Sequence, residues 1–280
     1  METTITDGPN PNPAYVLGHS AFELERLARQ ERVVGSMTRE YFVEAGIAPG
    51  MRVLDVGSGS GAVAFLAADL VGPTGEVIGT DLAPSAIAAA SQAAAARALS
   101  HVSFREGDPA QMVFDQTFDA IVGRYVLMFQ ADASRLLRRL ARHLRPGGVI
   151  VFHEPDWSCG RSDPVAPTYD RCCRWVIDAF DRAGTSVTMS TKLHRAFLSA
   201  DLPSPTMRMQ AVIGDATSAA EWLRVVAELA IVLAPTMEQQ GVATQAEIGP
   251  DTLVDRVIQD VAAHRSIVIG RAEIGAWVRV

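Results

Sequence analysis

Short apolar runs alternate with longer segments of helical periodicity through the first half of the chain. The apolar runs are rich in Val and Ile and end at polar residues, which is typical of buried strands. They lie at 53–56, 77–80, 102–104, 118–123 and 149–152. Helical patterns separate them at 62–68, 85–99 and 132–143. Strands that alternate with helices in this way form parallel βαβ units, so the pattern predicts an α/β protein.

The flanking segments have a different pattern. Residues 1–13 are rich in Thr, Asn, Pro and Gly, and we expect a disordered tail there. Ser20 and Glu23 have the spacing of a capping box, which predicts a helix that runs to Gly46 with an interruption at Gly35. Beyond the fifth apolar run we expect four more helices and two final strands. The helices are predicted at 169–182, 191–200, 219–234 and 252–266, and the strands at 206–213 and 272–280.

The first apolar run leads into a turn that is dense in glycine. The run contains Asp55 and is followed by Gly57, Gly59 and Gly61 before a helical pattern begins. Glycine reaches positive φ without strain, and a ligand can approach its backbone closely because it has no side chain. The N–H groups at the start of the next helix would face that ligand. This strand, turn and helix predict a nucleotide-binding loop.

Two further acids follow at strand ends. Asp81 ends the second apolar run, where a carboxylate can accept hydrogen bonds from both hydroxyls of a ribose. Asp108 follows the third run and would lie within reach of an adenine amino group. Each acid also has a purely structural interpretation. Asp81 can cap the helix that begins near Pro84, and Asp108 can be a turn residue beside Pro109.

In this order, the motifs resemble those of class I S-adenosylmethionine-dependent methyltransferases. The resemblance covers about residues 50 to 155 and includes the turn at 145–148. It implies S-adenosyl-L-methionine as the cofactor. It also implies a doubly wound, Rossmann-like sheet of seven strands, mostly parallel with the last strand antiparallel, under a helical N-terminal lid and a helical roof insertion. The candidate cofactor-binding residues are Tyr15, Gln30, Asp55, Gly57, Ser58, Gly59, Gly61, Asp81, Leu82, Asp108, Pro109 and Arg124.

Some of these assignments have alternatives, and Asp55 can be a strand-end acid that only caps the following turn. The segment from Tyr15 to Gln30 resembles the lid of small-molecule methyltransferases from bacterial natural-product pathways, in which both residues would cover the methionine end of the cofactor. A helix that only covers a sheet edge is the other interpretation. Arg124, at the end of the fourth strand, can bind the cofactor carboxylate or pair with a nearby acid. Pro109 has no N–H, so a backbone donor to adenine would come from another residue, such as Ala110.

The chain divides into four predicted regions. A disordered tail covers 1–13, and the helical lid covers 14–48. The S-adenosylmethionine-binding, Rossmann-like core covers 49–156, and the helical roof with the last two strands covers 157–280.

Two residues at the end of the fifth strand are the candidate catalytic groups. His153 titrates near neutrality, and a glutamate such as Glu154 can have its pKa raised toward neutrality by apolar neighbours. We expect both to face the substrate, although a single histidine is often structural. Three tryptophans, Trp157, Trp175 and Trp222, are expected in the core, with one of them lining an apolar substrate pocket.

The composition of the chain argues against several classes of binding partner. The net charge of −7 argues against nucleic acid or an anionic membrane, because both require a basic surface. Three cysteines are too few for a structural zinc site, and magnesium would need more carboxylates near the fifth strand, so we expect no metal. The N-terminal sequence lacks a signal-peptide pattern, and the longest apolar run is too short to span a bilayer. We therefore expect a cytoplasmic protein. Lys192 is the only lysine and the predicted helices are rich in alanine, which is typical of a GC-rich bacterial source, and a homo-oligomer is possible.

The sequence predicts methyl transfer to a small, largely apolar or aromatic molecule, with carbon slightly favoured over nitrogen and oxygen as the acceptor atom. A nicotinamide-dependent oxidoreductase is one alternative, because Gly57, Gly59 and Ala62 also satisfy the dinucleotide fingerprint. Another is a binding or cyclase-type protein that keeps the cofactor pocket and transfers no methyl group. A role in natural-product biosynthesis follows from the resemblance of the lid.

Overall fold

The computed structural model describes residues 21–280, and the side chains from residue 25 onward. The predicted tail, Tyr15 and Ser20 lie outside these described residues. The strands are β1 (Arg52–Val56), β2 (Glu76–Asp81), β3 (Val102–Glu106), β4 (Phe118–Arg124), β5 (Leu144–Asp156), β6 (Arg161–Asp163), β7 (Thr206–Gly214) and β8 (Ile267–Arg279). The helices are α1 (Ala21–Ala45), α2 (Ala62–Val71), α3 (Pro84–Ala96), α4 (Ala133–Ala141), α5 (Pro167–Arg182), α6 (Met189–Ser199), α7 (Ala220–Gln239), α8 (Gln245–Ile248) and α9 (Leu253–Ala263).

These strands form one mixed sheet in the order β3-β2-β1-β4-β5-β8-β6, and β7 also pairs with β8. Strands β1 to β5 pair in parallel, whereas β8 is antiparallel to β5, β6 and β7. The order steps outward from β1 in both directions, which is the doubly wound arrangement. The predicted fold class is confirmed. The short strand β6 is an addition that the sequence pattern did not predict.

Strand β5 is much longer than its predicted apolar run at 149–152. It extends from Leu144 to Asp156, because β8 pairs with it as far as Asp156 while β4 pairs with its first part. The predicted turn at 145–148 becomes an irregular stretch within β5, since Phe118 pairs with Leu144 and Ala120 with Val149. Tertiary pairing has therefore extended the strand past its local signal.

Helix α1 is continuous, so the predicted interruption at Gly35 is wrong. Gly35 lies in the middle of the helix, where a Cβ would collide with the carboxylate of Glu31. Gly35 therefore marks no break in the helix. The helix also lies close to the sheet, because the ring of Tyr41 packs where a Cβ at Gly275 would be, and its hydroxyl donates to the Glu273 carbonyl at 2.8 Å.

The roof has a separate apolar core formed mainly by α5, α7 and α9. The apolar run at 225–234 lies in α7, and all of its residues except Ile231 and Val232 are buried. Within residues 21–280, no helix combines the length and apolar character needed to cross a bilayer. Ion pairs attach the N-terminal helix to this roof, since Arg29 on α1 binds Glu228 at 3.0 Å and Glu221 at 3.2 Å.

Candidate active site

A cavity of about 1350 Å³ lies at the carboxyl ends of β1, β2 and β4. Open parallel sheets place their ligands at this edge. Helix α1 supplies one wall, and α5 and α7 contribute Phe180 and Leu229 from the roof. Most of the predicted cofactor-binding residues in the described part of the chain line this cavity. They are Gln30, Gly57, Ser58, Gly59, Asp81, Leu82, Asp108, Pro109 and Arg124.

The glycine-rich loop has the backbone conformation that the sequence predicts. Gly57, Gly59 and Gly61 have φ values of 66°, 52° and 93°, in the left-handed region. A side chain at Gly59 would meet no heavy atom within 4 Å, whereas one at Gly61 would collide with Phe65. Gly59 therefore leaves its side of the loop open to the cavity, and Gly61, which does not line the cavity, is required by packing.

Asp81 and Asp108 both line the cavity, and both also make local hydrogen bonds. The Asp81 carboxylate accepts from the N–H groups of Gly59 and Ala83, each at 2.9 Å. The Asp108 carboxylate accepts from the N–H of Ala110 at 2.9 Å. A carboxylate has about four lone-pair sites, so these bonds hold each acid in place and leave capacity for a ligand.

Two polar groups beside the loop have no partner among the described residues. Neither carboxylate oxygen of Asp55 makes a hydrogen bond, and the Ser58 hydroxyl makes none. Burial raises the pKa of Asp55 well above its usual range, opposed by the nearby charge of Arg124 and reinforced by that of Asp81. Asp55 itself does not line the cavity. The unsatisfied hydroxyl of Ser58, which lines the cavity beside the open Gly59, fits a loop that completes its hydrogen bonds through a polar ligand.

The lid helix contributes a second polar wall. Gln30 accepts a hydrogen bond from Arg26 at 3.1 Å, and both side chains are buried at the cavity. Arg124 forms an ion pair with Glu31 and donates to the Thr38 hydroxyl at 3.0 Å. Arg124 therefore pairs with an acid, as the second interpretation of its role predicts, and its side chain still lines the cavity.

The structure does not place Glu154 at the cavity, contrary to the expectation that it faces the substrate. Its side chain is fully buried, and its carboxylate accepts from the N–H groups of Val126, Leu127 and Met128 at 2.7–3.1 Å. Burial raises its pKa to about 7 against these three hydrogen bonds. Glu154 thus holds the turn after β4, and Val126 and Met128 from that turn line the cavity.

His153 is also buried away from the cavity lining. Its ring lies between the Thr38 hydroxyl, 2.9 Å from Nδ1, and the Glu273 carboxylate, 2.8 Å from Nε2. Burial lowers the pKa of His153, although Glu273 opposes the shift. A neutral ring that donates from Nε2 to the carboxylate and accepts at Nδ1 satisfies both contacts. The geometry gives His153 a bridging role.

Sequence reasoning missed the charged groups at the roof end of the cavity, which is the part lined by Trp157, Phe180, Leu229 and Arg271. Arg271 on β8 lines the cavity although it is buried, and its Nε donates to Glu273 at 2.8 Å. Its Nη2 donates to the Tyr125 hydroxyl at 2.7 Å, and that hydroxyl donates to Glu273 at 2.9 Å. The available signal was two charged residues alternating with apolar ones at the start of the last predicted strand.

The three tryptophans have different environments. Trp157 lines the cavity, whereas Trp175 and Trp222 are buried and do not. Within residues 21–280, no three His, Cys, Asp or Glu side chains are grouped so that they could hold a metal ion.

Comparisons with known proteins agree with this geometry. A family model described as a methyltransferase domain matches residues 47–191, which is just over half of the chain. An arsenite methyltransferase of Halobacterium salinarum is 37% identical over 111 residues, covering 39% of this chain and 28% of that protein. A nocamycin O-methyltransferase of Saccharothrix syringae is 40% identical over 120 residues, covering 40% of this chain and 43% of that protein. The chain thus spans less than half the length of either relative.

A solved structure extends the similarity of fold beyond the matched region. The YcgJ protein of Bacillus subtilis superimposes with a TM-score of 0.54 over 88% of this chain and 99% of that one, at 16% identity. Identity this low supports the fold alone. The family assignment rests on the match to residues 47–191 together with the glycine loop and strand-end acids described above. The chain belongs to the methyltransferase domain family.

Proposed function

We propose that the protein transfers the methyl group of S-adenosyl-L-methionine to a small, largely apolar or aromatic molecule. The observation that carries this proposal is the cradle at the strand ends: an open glycine loop, two strand-end acids and a polar lid around one cavity. The family match supports the same activity. The substrate of the nocamycin enzyme suggests a place in natural-product biosynthesis for this protein too.

The residues of the cradle would divide the binding of the cofactor between them. Asp81 would bind the ribose hydroxyls, and Asp108 would bind the adenine amino group. Gly59 would let the ligand approach the backbone, while Gln30, Arg26 and other polar groups of the lid would bind its methionine end. The cofactor supplies a methyl group activated by a positively charged sulfur. The contribution of the protein is alignment, because an in-line displacement is accelerated mainly by holding the two reactants in position.

The residues that line the cavity favour a methyl acceptor that needs little general acid–base catalysis. The roof end is lined by Met128, Phe129, Trp157, Phe180 and Leu229, all of them apolar or aromatic. Neither candidate base reaches the lining, since His153 and Glu154 are buried behind it. A neutral phenol would need such a base, because its oxygen is a weak nucleophile until the proton is removed. The aromatic rings of the lining could hold the cation that forms when a carbon atom is methylated. We therefore keep carbon slightly ahead of nitrogen and oxygen as the acceptor atom, to be identified by NMR of the methylated product.

Binding of S-adenosylhomocysteine tests the proposed cofactor directly. Calorimetry should give micromolar affinity for the wild-type protein. Replacing Asp81 with Ala should lower that affinity by about a hundredfold or more, because the carboxylate would bind two ribose hydroxyls and also orients the glycine loop.

A matched control lies on the neighbouring strand. Glu106 on β3 pairs with Asp81 in the sheet, is exposed and does not line the cavity. The Glu106→Ala variant should bind S-adenosylhomocysteine like the wild type. If the wild-type protein does not bind S-adenosylhomocysteine at all, or binds NADH instead, the proposed function is wrong.

A further inference from the structure

We propose that Arg271 is the binding group for an anionic oxygen of the methyl acceptor, such as a carboxylate, phenolate or enolate on an apolar or aromatic body. This inference rests on the proposed function and specifies its acceptor. It comes from the one arginine that β8 places at the roof end of the cavity.

Arg271 presents unused donors at the cavity. Its Nε and Nη2 bind Glu273 and Tyr125, and its Nη1 makes no hydrogen bond to residues 21–280. The indole N–H of Trp157, on the same wall, also lacks a partner among these residues. Both side chains are more than nine-tenths buried. The Nη1 of Arg271 is left free to bind a ligand that accepts hydrogen bonds, and the unpaired indole N–H is costly because it is buried.

At the roof end, the guanidinium of Arg271 is the charged group that lines the cavity. Its counter-ion Glu273 is fully buried, does not line the cavity and has its oxygens engaged by Arg271, Tyr125 and His153. From β5 onward, Arg271 is the only charged residue among the lining residues of the described chain. An anionic oxygen satisfies a guanidinium better than a neutral one, because charge-assisted hydrogen bonds are about twice as strong.

The arginine is also held rigidly in place. Its guanidinium lies over three aromatic rings, 4.8 Å from Tyr125, 5.0 Å from Trp157 and 5.5 Å from Trp222. Tyr125 adopts a positive φ of 57°, which is strained for a residue with a side chain. This conformation places its hydroxyl between Arg271 and Glu273. Strain retained beside a rigid, incompletely bonded cation is typical of a binding site.

Two probes of the same shape test the preference for an anion. Calorimetry with saturating S-adenosylhomocysteine would compare 2-naphthoate with 2-naphthamide, which differ mainly in charge. The wild type should bind the carboxylate about tenfold more tightly or better. The Arg271→Met variant should lose this preference and keep its affinity for 2-naphthamide and S-adenosylhomocysteine within about threefold. Arg138→Met, which removes an exposed arginine that pairs with Asp201, should retain the preference.

A second variant distinguishes the loss of the anion preference from a folding defect. Arg271→Met leaves the charge of Glu273 buried without its cation, so the double variant Arg271→Met/Glu273→Gln removes both charges together. It too should bind the two probes equally. Equal or absent binding of the probes by the wild type, or a preference that survives in both variants, would overturn the proposal. A tenfold loss of S-adenosylhomocysteine affinity would assign Arg271 to the cofactor instead. If the wild type fails to bind S-adenosylhomocysteine, the proposed function fails separately.

Discussion

The two ends of the cavity are built in different ways. At the glycine-loop end, Asp81 binds Gly59 across two neighbouring parallel strands, and each group comes from a short motif at the end of its own strand. At the roof end, His153 on β5 and Tyr125, just after β4, meet Arg271 and Glu273 on β8, which lies more than a hundred residues later in the chain. The first end depends on local backbone geometry. The second depends on which strands are paired and in what register.

In the proposed function, this difference would separate recognition of the cofactor from recognition of the acceptor. A loop made of backbone N–H groups and strand-end acids can bind one constant ligand on any fold of this class. A cluster of charged side chains behind an apolar wall can change with a few substitutions while the sheet stays the same. We therefore expect variants at the roof end to change acceptor preference or stability, and variants at the loop end to change cofactor affinity.

The largest expected effect is at Glu154, which supports the turn between the two ends. Glu154→Ala would leave the N–H groups of Val126, Leu127 and Met128 without an acceptor in a buried site. We expect the free energy of unfolding to fall by about 4 kcal/mol, since each unsatisfied group costs about 1–3 kcal/mol. Urea denaturation of the purified variant measures this loss.

Glu154→Gln is the informative comparison. The amide keeps one oxygen for Val126 and Leu127 and places an NH₂ group against Met128, so about half of the loss should remain. If Glu154→Gln is as stable as the wild type and has lost only turnover, a catalytic role for Glu154 is supported after all.

The environment of Glu154 shows where sequence reasoning stopped. The position of the glutamate at the end of the fifth strand was correct, but β5 lies between β4 and β8 and is covered on both faces. In such a strand, His153 and Glu154 can both be fully buried, so alternation does not tell which side chain faces a ligand. The register that brings His153 next to Glu273 depends on β8, more than a hundred residues later.

The glycine loop was predictable for the opposite reason. The order of strand, glycines and helix is local, and positive φ at Gly57, Gly59 and Gly61 follows from residue type and spacing. The acids at the ends of β2 and β3 are adjacent because consecutive parallel strands pair. The sequence could not show which of these groups would be left without a partner, as Asp55 and Ser58 are.

The next effect concerns pH and the buried cluster around Glu273. Burial alone would raise the pKa of this carboxyl, but the charge of Arg271 and hydrogen bonds from His153 and Arg271 lower it to about 2. Its usual value is 4.5. A group with a depressed pKa stabilises the fold above its unfolded value, and this stability is lost as the pH falls from 4.5 toward 2. The shift corresponds to stability on the order of 3 kcal/mol.

The double variant Arg271→Met/Glu273→Gln isolates that contribution. This variant has no carboxylate at position 273 that could be protonated. Its free energy of unfolding should therefore fall less steeply than that of the wild type between pH 4.5 and 2. Chemical denaturation at several pH values measures both slopes. Parallel slopes for the two proteins would mean that Glu273 does not titrate as a stabilised carboxylate.

The smallest expected change in stability is at Gly59, where the loop end can be altered with little effect on the core. Alanine at φ 52° costs about 1–2 kcal/mol of stability, because the left-handed region is unfavourable for a residue with a Cβ. The new methyl group would meet no protein atom within 4 Å and would project from a residue that lines the cavity. We therefore expect affinity for S-adenosylhomocysteine to fall by about tenfold, measured by calorimetry.

The matched control for Gly59 is Gly184→Ala. Gly184 has a similar φ of 74°, and a Cβ there would also meet no heavy atom within 4 Å, but Gly184 lies outside the cavity lining. This variant should therefore lose stability and keep its affinity for S-adenosylhomocysteine. If both variants bind S-adenosylhomocysteine like the wild type, the backbone at Gly59 is not where the cofactor approaches, and the contrast between the two ends of the cavity fails.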